Sequence, residues 1–299
     1  MPNNRSIYYQ YREPSPLRSL WLHMSTNPFA VAAIYIFSFM LLAMILSPLV
    51  APYSPDAQFT DVISQPPAWH DEGQIRFLFG TDDLGRDLLS RVLAGAVYSL
   101  GYPLMATAVA ALIGITIGAW AGMSRGVQSS TLNHLLDVVL SIPSLLLALV
   151  IIAILGPALH NVMIAITLVL IPQFIHSVHN AFYEERNKEY VIASKLNGCS
   201  RWYLLTRVIF PNITTVVVMQ VTFALSTAIL DIAALGFLGL GVQTPAPEWG
   251  TMLARSLDQV YLVPWTMILP GLALFLTVLS INVLGDSLRA AIQERVRGT

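Results

Sequence analysis

The chain reads as an all-α, polytopic membrane protein with six transmembrane helices, and three observations carry that reading. Of its 299 residues, 55% are hydrophobic and 11% charged, where a soluble domain has about 25% charged residues. The mean hydropathy is +0.65. Charge-free runs also recur along the chain: Ser19 to Pro55, Val92 to Ser124, Val138 to Tyr183, Val208 to Leu230 continuing past Asp231 to Pro247, and Gln259 to Gly285. About 20 apolar residues cross a hydrocarbon core. The 46 residues from Val138 to Tyr183 are therefore two helices, broken at Gly156-Pro157, because proline cannot continue a helix and glycine ends one at little cost.

The spans fall near Phe29 to Val50, Tyr98 to Gly122, Asn133 to Leu155, Val162 to Phe182, Ile213 to Leu240 and Pro264 to Leu284. Before the first, residues 1–27 set Tyr8, Tyr9, Tyr11 and Trp21 among arginines and prolines. That composition suits either a segment lying at the headgroup level or a free tail. A polar stretch of about 27 residues before the first apolar run is unlike a cleaved signal, so that run is expected to stay as a span. The loop from Ala51 to Arg91 begins proline-rich and ends in an expected amphipathic helix on the outer surface. Thr81 would cap it, Asp82 and Asp83 would sit at its positive end, and Leu84, Leu88, Leu89, Val92 and Leu93 would form its apolar face.

Orientation follows from the cations. With the N-terminus inside, Arg5, Arg12, Arg18, Arg125, Arg186, Lys188, Lys195, Arg201, Arg207, Arg289, Arg295 and Arg297 are cytoplasmic, 12 of 16. Arg76, Arg86, Arg91 and Arg255 are outside. Cationic flanks are retained on the cytoplasmic face, so both termini lie inside. The net charge of −1, with 9 of 17 acids in outer loops, marks no nucleic-acid surface.

Several chemistries find no residues to carry them. No G-x-x-x-x-G-K-[ST] loop occurs, so nucleotide hydrolysis is not the chain's own chemistry. The lone Cys199 rules out an internal disulfide and reads as a small turn residue. His176 and His179, at i and i+3, could pair on a metal or serve as boundary histidines bonded to water or a neighbouring helix, and no third ligand is evident. No metal or cofactor is therefore expected. An ion-coupled carrier would show more buried ionisable groups or an inverted repeat.

Asp231 is the costly residue. A carboxylate at mid-span costs about 3 kcal/mol on an insertion scale, which about 13 large apolar neighbours at ~0.3 to 0.6 kcal/mol each offset. It must face protein or a watery cavity. Two roles remain open, a pore-lining contact for a cationic substrate or gate, and a packing hydrogen bond. Asp137 and Asp286, near inner helix ends, read as structural partners of arginines or amides. Gly114 and Gly118, then Gly122, permit close helix approach, as do Gly236, Gly239 and Gly241 beside a turn-rich segment, where a hinge or gate would fit.

Between the fourth and fifth spans lies a polar hairpin, residues 184–211. One helical segment runs from Glu184 to Asn197 into Gly198, and a second ends at Pro211. Such a hairpin on the water side presents itself to a soluble partner. The spacing of Ala193, Gly198, Val208, Phe210 and Pro211 resembles the EAA loop of type I ABC-transporter permeases, E-A-A-x3-G-x9-I-x-L-P, with Ile192-Ala193-Ser194 as the triplet and no glutamate in it.

Further runs carry the same resemblance: Gly80-Thr81-Asp82-Asp83-Leu84-Gly85-Arg86-Asp87 with Ser90-Arg91, Asp137 with Ile142-Pro143-Ser144, and Gly236-Phe237-Leu238-Gly239-Leu240-Gly241. Pro247-Glu248-Trp249-Gly250, Pro264-Trp265, Pro270-Gly271 and Asn282-Val283-Leu284-Gly285-Asp286 complete them. From about Phe29 to Arg289 the chain resembles the C-type permease subunits of the peptide/nickel (dipeptide and oligopeptide) ABC transporters. Ile192-Ala193-Ser194, the polar Gln173, His176 and His179, and residues 228–233 are similar to the antimicrobial-peptide sensitivity (Sap) branch, with which both peptide uptake and polyamine movement are associated.

The resemblance implies a type I ABC permease core over residues 97–286, flanked by a cytoplasmic tail (1–27), a first helix with its outer loop (28–96) and a second tail (287–299). It implies a multi-pass protein of the bacterial inner membrane, a second, homologous permease subunit forming a heterodimer, two cytoplasmic ATPase subunits that hydrolyse the ATP, and a periplasmic or extracellular solute-binding protein. Glu189, Ala193, Ser194, Gly198, Val208, Phe210 and Pro211 would couple to the ATPase; Asp231, Gly236, Gly239 and Gly241 would line the path or gate. Peptides would be the cargo, with putrescine-type polyamine export as the alternative.

Overall fold

The computed structural model describes residues 21–22, 24–123 and 127–298. The expectations for residues 1–20 and for Arg125 lie outside these. The architecture is all-α. Among the described residues five helices are long and apolar enough to cross a membrane, and a sharply bent pair brings the number to six if it crosses as one span.

Helix α1, Pro28–Val50, starts where expected, with the Asn27 side chain accepting from the Phe29 N–H and Pro28 in its first turn, where a missing N–H costs nothing. The second span begins ten residues before the predicted Tyr98. Helix α2 runs Leu88–Gly122 through a π-helical turn at Val97–Gly101, and its cap is Asp87, not Thr81. Residues 81–87 cannot be helical because Asp82 Oδ1 accepts from the Leu84 and Arg86 N–H groups and Gly85 takes φ +70. Nor does this helix lie on the surface, since Leu88 and Trp249 are each 1% exposed in one apolar cluster.

The third span is not one helix. Helices α3, Val127–Leu140, and α4, Ser144–Leu155, meet at 84°. Pro143 lacks an N–H and biases Ile142 away from helical geometry, so the chain turns there. The break at Gly156 falls as expected, with φ +87 and its carbonyl accepting from Asn161 Nδ2 at 3.0 Å. Helix α5, Leu159–Glu185, then packs along α2. A Cβ on Gly114 would lie 2.3 Å from Phe174 Cβ, on Gly118 2.9 Å from Val178 Cβ, and on Gly122 2.5 Å from Phe182 Cβ. The glycine stripe thus brings the two backbones together, as the spacing implied.

Helix α6, Glu189–Leu196, is separated from α5 by a turn at Arg186, so the segment expected to be continuous from Glu184 is two helices. The other arm of the hairpin does not end at Pro211. Helix α7 runs Arg201–Phe237, passing through a π-helical stretch at Leu204–Ile209 and a 3-10 turn at Phe210–Ile213 that contains Pro211. Irregular turns accommodate a residue with no N–H to donate. A short helix α8, Trp249–Ser256, follows, then α9, Trp265–Gly298, which continues past Asp286 through the expected tail. Alanines 106, 110, 224 and 228 with Ile152, Ile166, Leu170 and Phe174 form the core of α2, α4, α5 and α7.

Candidate functional site

Two ends of the bundle carry unusual chemistry. At the hairpin end, Arg186 donates from Nη1 to the Gly122 carbonyl at 2.9 Å and its guanidinium lies 4.6 Å over the Tyr183 ring. This ties the end of α5 to the end of α2, where helix carbonyls lack partners. Lys188 Nζ pairs with Glu185 at 2.7 Å, and the Tyr190 hydroxyl donates to the same carboxylate. Burial and then Glu185 push the Tyr190 phenol well up, so it stays protonated as that donor.

Gly198 takes φ +80 and closes α6. Its N–H donates to Lys195 O at 3.0 Å and that of Cys199 to Ser194 O at 3.2 Å, the pattern of a Schellman cap. A Cβ here would meet nothing within 4 Å, so backbone conformation, not space, demands the glycine. Ser200 Oγ then accepts from the Tyr203 N–H at 3.2 Å and starts α7. Val191, fully buried, roots α6 against Phe182, Leu204, Ile209 and Ile213. Outward, the hairpin exposes Ile192, Leu196, Trp202 and Phe210, with Leu196 84% and Trp202 73% exposed.

The predicted coupling residues gather here. Glu189 and Ala193 are exposed on α6, Ser194 is half-buried with its hydroxyl donating to Tyr190 O, Val208 is half-buried, and Phe210 and Pro211 are exposed on α7.

At the other end, Gly236, Gly239 and Gly241 form one compact turn. Gly239 has φ +77, and the N–H groups of Gly239 and Leu240 donate to Gly236 O and Leu235 O, capping α7. A Cβ on Gly241 would sit 2.5 Å from Gly236 Cα, and one on Gly236 2.0 Å from Glu248 Oε2. Glu248 is 0% exposed and caps α8. Its Oε1 accepts from Gly250 N at 2.7 Å and Ser99 Oγ at 3.1 Å, and its Oε2 from Thr251 N at 2.8 Å. Burial pushes its pKa up to about 7, against the lowering effect of these donors. Trp249 completes the lock, donating from Nε1 to Val92 O at 3.0 Å beside Gly95. Sequence reasoning did not mark Glu248 or Ser99 as site residues, although Pro247-Glu248-Trp249-Gly250 is one of the runs that carry the family resemblance; an acidic residue directly before a tryptophan-led helix was the available signal.

Asp231 is 8% exposed, within hydrogen-bonding reach of Ser144, and its Oδ2 has no partner among the described residues. It lies six residues before the end of α7 at Phe237, about 9 Å from that end. No observed bond joins it to the glycine turn, which begins five residues further along α7 at Gly236. Asp137 is 3.6 Å from His176 Nδ1, where arginines or amides had been expected as its partner. Asp286 is exposed and makes no ion pair among the described residues. Asn180 bridges the histidines, 3.0 Å from His176 Nε2 and 3.2 Å from His179 Nδ1.

Known proteins agree with this architecture. Residues 114–298 match the family described as binding-protein-dependent transport system inner membrane component, and residues 15–67 the N-terminal TM domain of oligopeptide transport permease C. The peptide transport system permease protein SapC of Escherichia coli O6:H1 is 44% identical over 96% of this chain and 97% of its own. SapC of Salmonella typhimurium is 46% identical over the same shares. The di/tripeptide transport system permease protein DppC of Pseudomonas aeruginosa is 43% identical over 95% of this chain and 94% of its own. Among solved structures, an inward-facing MetNI methionine ABC transporter aligns with TM-score 0.55 at 20% identity, covering 67% of this chain and 96% of that one, which speaks for the fold.

Proposed function

The chain belongs to the binding-protein-dependent transport system inner membrane components, and from that premise we propose that it is a permease subunit of an ATP-driven transporter that carries peptides across the bacterial inner membrane. The relatives named SapC and DppC are peptide permeases, which supports peptide cargo over polyamine export. The hairpin end faces the cytoplasm, and two ATPase subunits of separate chains hydrolyse ATP there. A second homologous permease completes the heterodimer, and a solute-binding protein delivers cargo at the opposite face.

One observation carries the coupling: apolar side chains stand exposed on a hairpin that is rigidly rooted. Ile192, Leu196, Trp202 and Phe210 would be left in water, while Val191 and the Arg186–Gly122 bond fix the hairpin to α2 and α5. Exposed apolar residues on a rigid element mark a protein interface. Closure of the ATPases on Glu189, Ala193, Ser194, Gly198, Val208, Phe210 and Pro211 would move the core helices of residues 97–286 between two facing states. ATP drives that switch only to the extent that it binds one state better; a shift from 1:99 to 99:1 needs about 5.5 kcal/mol of differential binding.

The test is a purified complex carrying Leu196→Asp with Trp202→Asp. Loss of ATPase subunits from the complex, together with peptide-stimulated hydrolysis, is expected. Unchanged stoichiometry and unchanged stimulation would remove the docking role.

A further inference from the structure

We propose that a groove at the end of the bundle opposite the hairpin holds a membrane phospholipid whose headgroup carries an ammonium group, with Asp56 as the acceptor of that group. The inference rests on the chain spanning a membrane and is independent of what the transporter carries.

Where α1 ends, two concavities of about 670 and 710 Å³ share Ser47, Pro55 and Ala94 and so form one continuous groove. Three parts of the chain wall it: the last turn of α1 with the segment to Asp56, one side of α2 at Ala94, Val97 and Tyr98, and residues 245–247 ahead of α8. The space has a local cause. The Ala51 N–H closes α1 on Ser47 O at 3.0 Å, after which Pro52 and Pro55 have no N–H to donate. The facing residues Ala94 and Ala246 are too small to fill what is left.

The level of the groove in the membrane follows from α1. That helix has 23 residues, a length of about 34 Å, so its end lies at the boundary of a hydrocarbon core about 30 Å thick. Ser47 and Pro48 fall inside that boundary and Asp56 falls beyond it. Leu49, 83% exposed, and the exposed Val50 and Val97 stand at the same level, so the groove continues a face turned to lipid. Tyr98 stacks on Tyr102 with ring centres 5.7 Å apart and adds an amphipathic ring of the kind that sits at headgroup level.

Charge selects the headgroup. Asp56 lines the groove and its side chain is 48% exposed, so the carboxylate is open to a ligand. Its ion pair with Arg91 Nη1, at 3.8 Å, is longer than a hydrogen bond. Arg91 is committed elsewhere, to Pro55 O at 2.8 Å and to Asp82 at 3.5 Å. An ammonium group brings three N–H donors, no acceptor and one positive charge to such a carboxylate. A headgroup without a cation would set its phosphate charge against Asp56, among loops that hold nine acids and four basic residues. The acyl chains would lie against Pro48, Ala94 and Val97.

The test uses the complete transporter, the permease pair with its ATPases, moved from membranes into detergent and titrated with phosphatidylethanolamine and phosphatidylglycerol of identical acyl chains. Native mass spectrometry reads the ratio of the two lipids retained per complex. The wild type should retain phosphatidylethanolamine in clear preference. Loss of a charge-assisted hydrogen bond predicts that the ratio falls about tenfold in Asp56→Asn. Arg91 keeps its contacts with Asp82 and Pro55 in that variant, so the loop keeps its anchor. Ala94→Phe fills the groove and should lower retention of both lipids.

Equal retention of the two lipids by the wild type, an unchanged ratio in Asp56→Asn, or full retention in an assembled Ala94→Phe complex overturns the proposal. Should the amide disturb assembly, Asp56→Glu keeps the charge and must keep the preference. Retention of neither lipid would mean that another subunit covers the groove, and displacement of phosphatidylethanolamine by a peptide with a free amino terminus would make it a cargo site. Either result overturns the lipid assignment.

Discussion

Glu248 and Ser99, 149 positions apart in the chain, are joined by a hydrogen bond of 3.1 Å in the protein interior. The same hydroxyl accepts from the Trp249 N–H at 2.9 Å. One serine in the π-helical turn of α2 therefore both donates to the cap of α8 and accepts from its first residue. Gly236 lies against the other carboxylate oxygen, so the ends of α7 and α8 and the middle of the second span meet at a single acidic group.

That group makes stability depend on pH. The Glu248 pKa is raised from 4.5 to about 7 by burial. A carboxyl with a raised folded-state pKa contributes stability fully present below 4.5 and lost as the pH rises through about 7. The purified protein in detergent should therefore resist heat better at pH 5 than at pH 8, by an amount on the order of 3 kcal/mol at most. Glu248→Gln should flatten that difference. A wild-type profile flat between the two pH values would show that another donor compensates for burial.

Gly198 should respond to backbone preference alone, because its φ is +80 and a Cβ has open space. Adding a Cβ in left-handed geometry costs roughly 1–2 kcal/mol, more for β-branched residues and less for asparagine. Coupled ATP hydrolysis should fall in the order Gly198→Asn, Gly198→Ala, Gly198→Val. Equal effects of all three would point to the partner-facing surface of the hairpin instead.

Gly114 and Gly118 should respond to space alone. Even Gly114→Ala places a methyl 2.3 Å from Phe174 Cβ, and the two helices must separate to admit it. Overpacking of this kind costs about 1–3 kcal/mol. Thermal stability of the solubilised protein should drop clearly for Gly114→Ala and for Gly118→Ala, but little for Gly271→Ala, whose Cβ would meet only Leu253 Cδ2 at 3.6 Å.

The sequence made the apolar spans legible because hydropathy integrates over about 20 residues and tolerates local irregularity. It also made the glycine stripe and the Gly198 turn legible, since those depend on one residue type at one spacing. What it hid were continuities and bends. Hydropathy assigned Pro211 to a helix end, but a 3-10 turn carries the chain through it. It also passed over Pro143, where a single proline bends the third span by 84°. Asp87 displaced Thr81 as a cap because Asp82 spends its carboxylate on the Leu84 and Arg86 N–H groups, a tertiary choice no local rule ranks. Glu248 escaped notice because its partner Ser99 is remote in the chain.

Orientation is the remaining prediction, resting on the cation bias of 12 to 4. The most exposed side chains make the sharpest probes. Ile75, 92% exposed, and Tyr261, 97% exposed, lie at the loop end, whereas Leu196 and Trp202 lie on the hairpin. In a Cys199→Ser background, Ile75→Cys and Tyr261→Cys should react with an impermeant thiol reagent added to intact cells whose outer barrier has been opened. Leu196→Cys and Trp202→Cys should react only after the inner membrane is permeabilised. Because an even number of spans returns the chain to its starting side, the hairpin and the N-terminus must share a compartment only if α3 and α4 together cross once. Labelling of Leu196→Cys from outside would therefore reverse the docking face, and with it the side on which ATP is used.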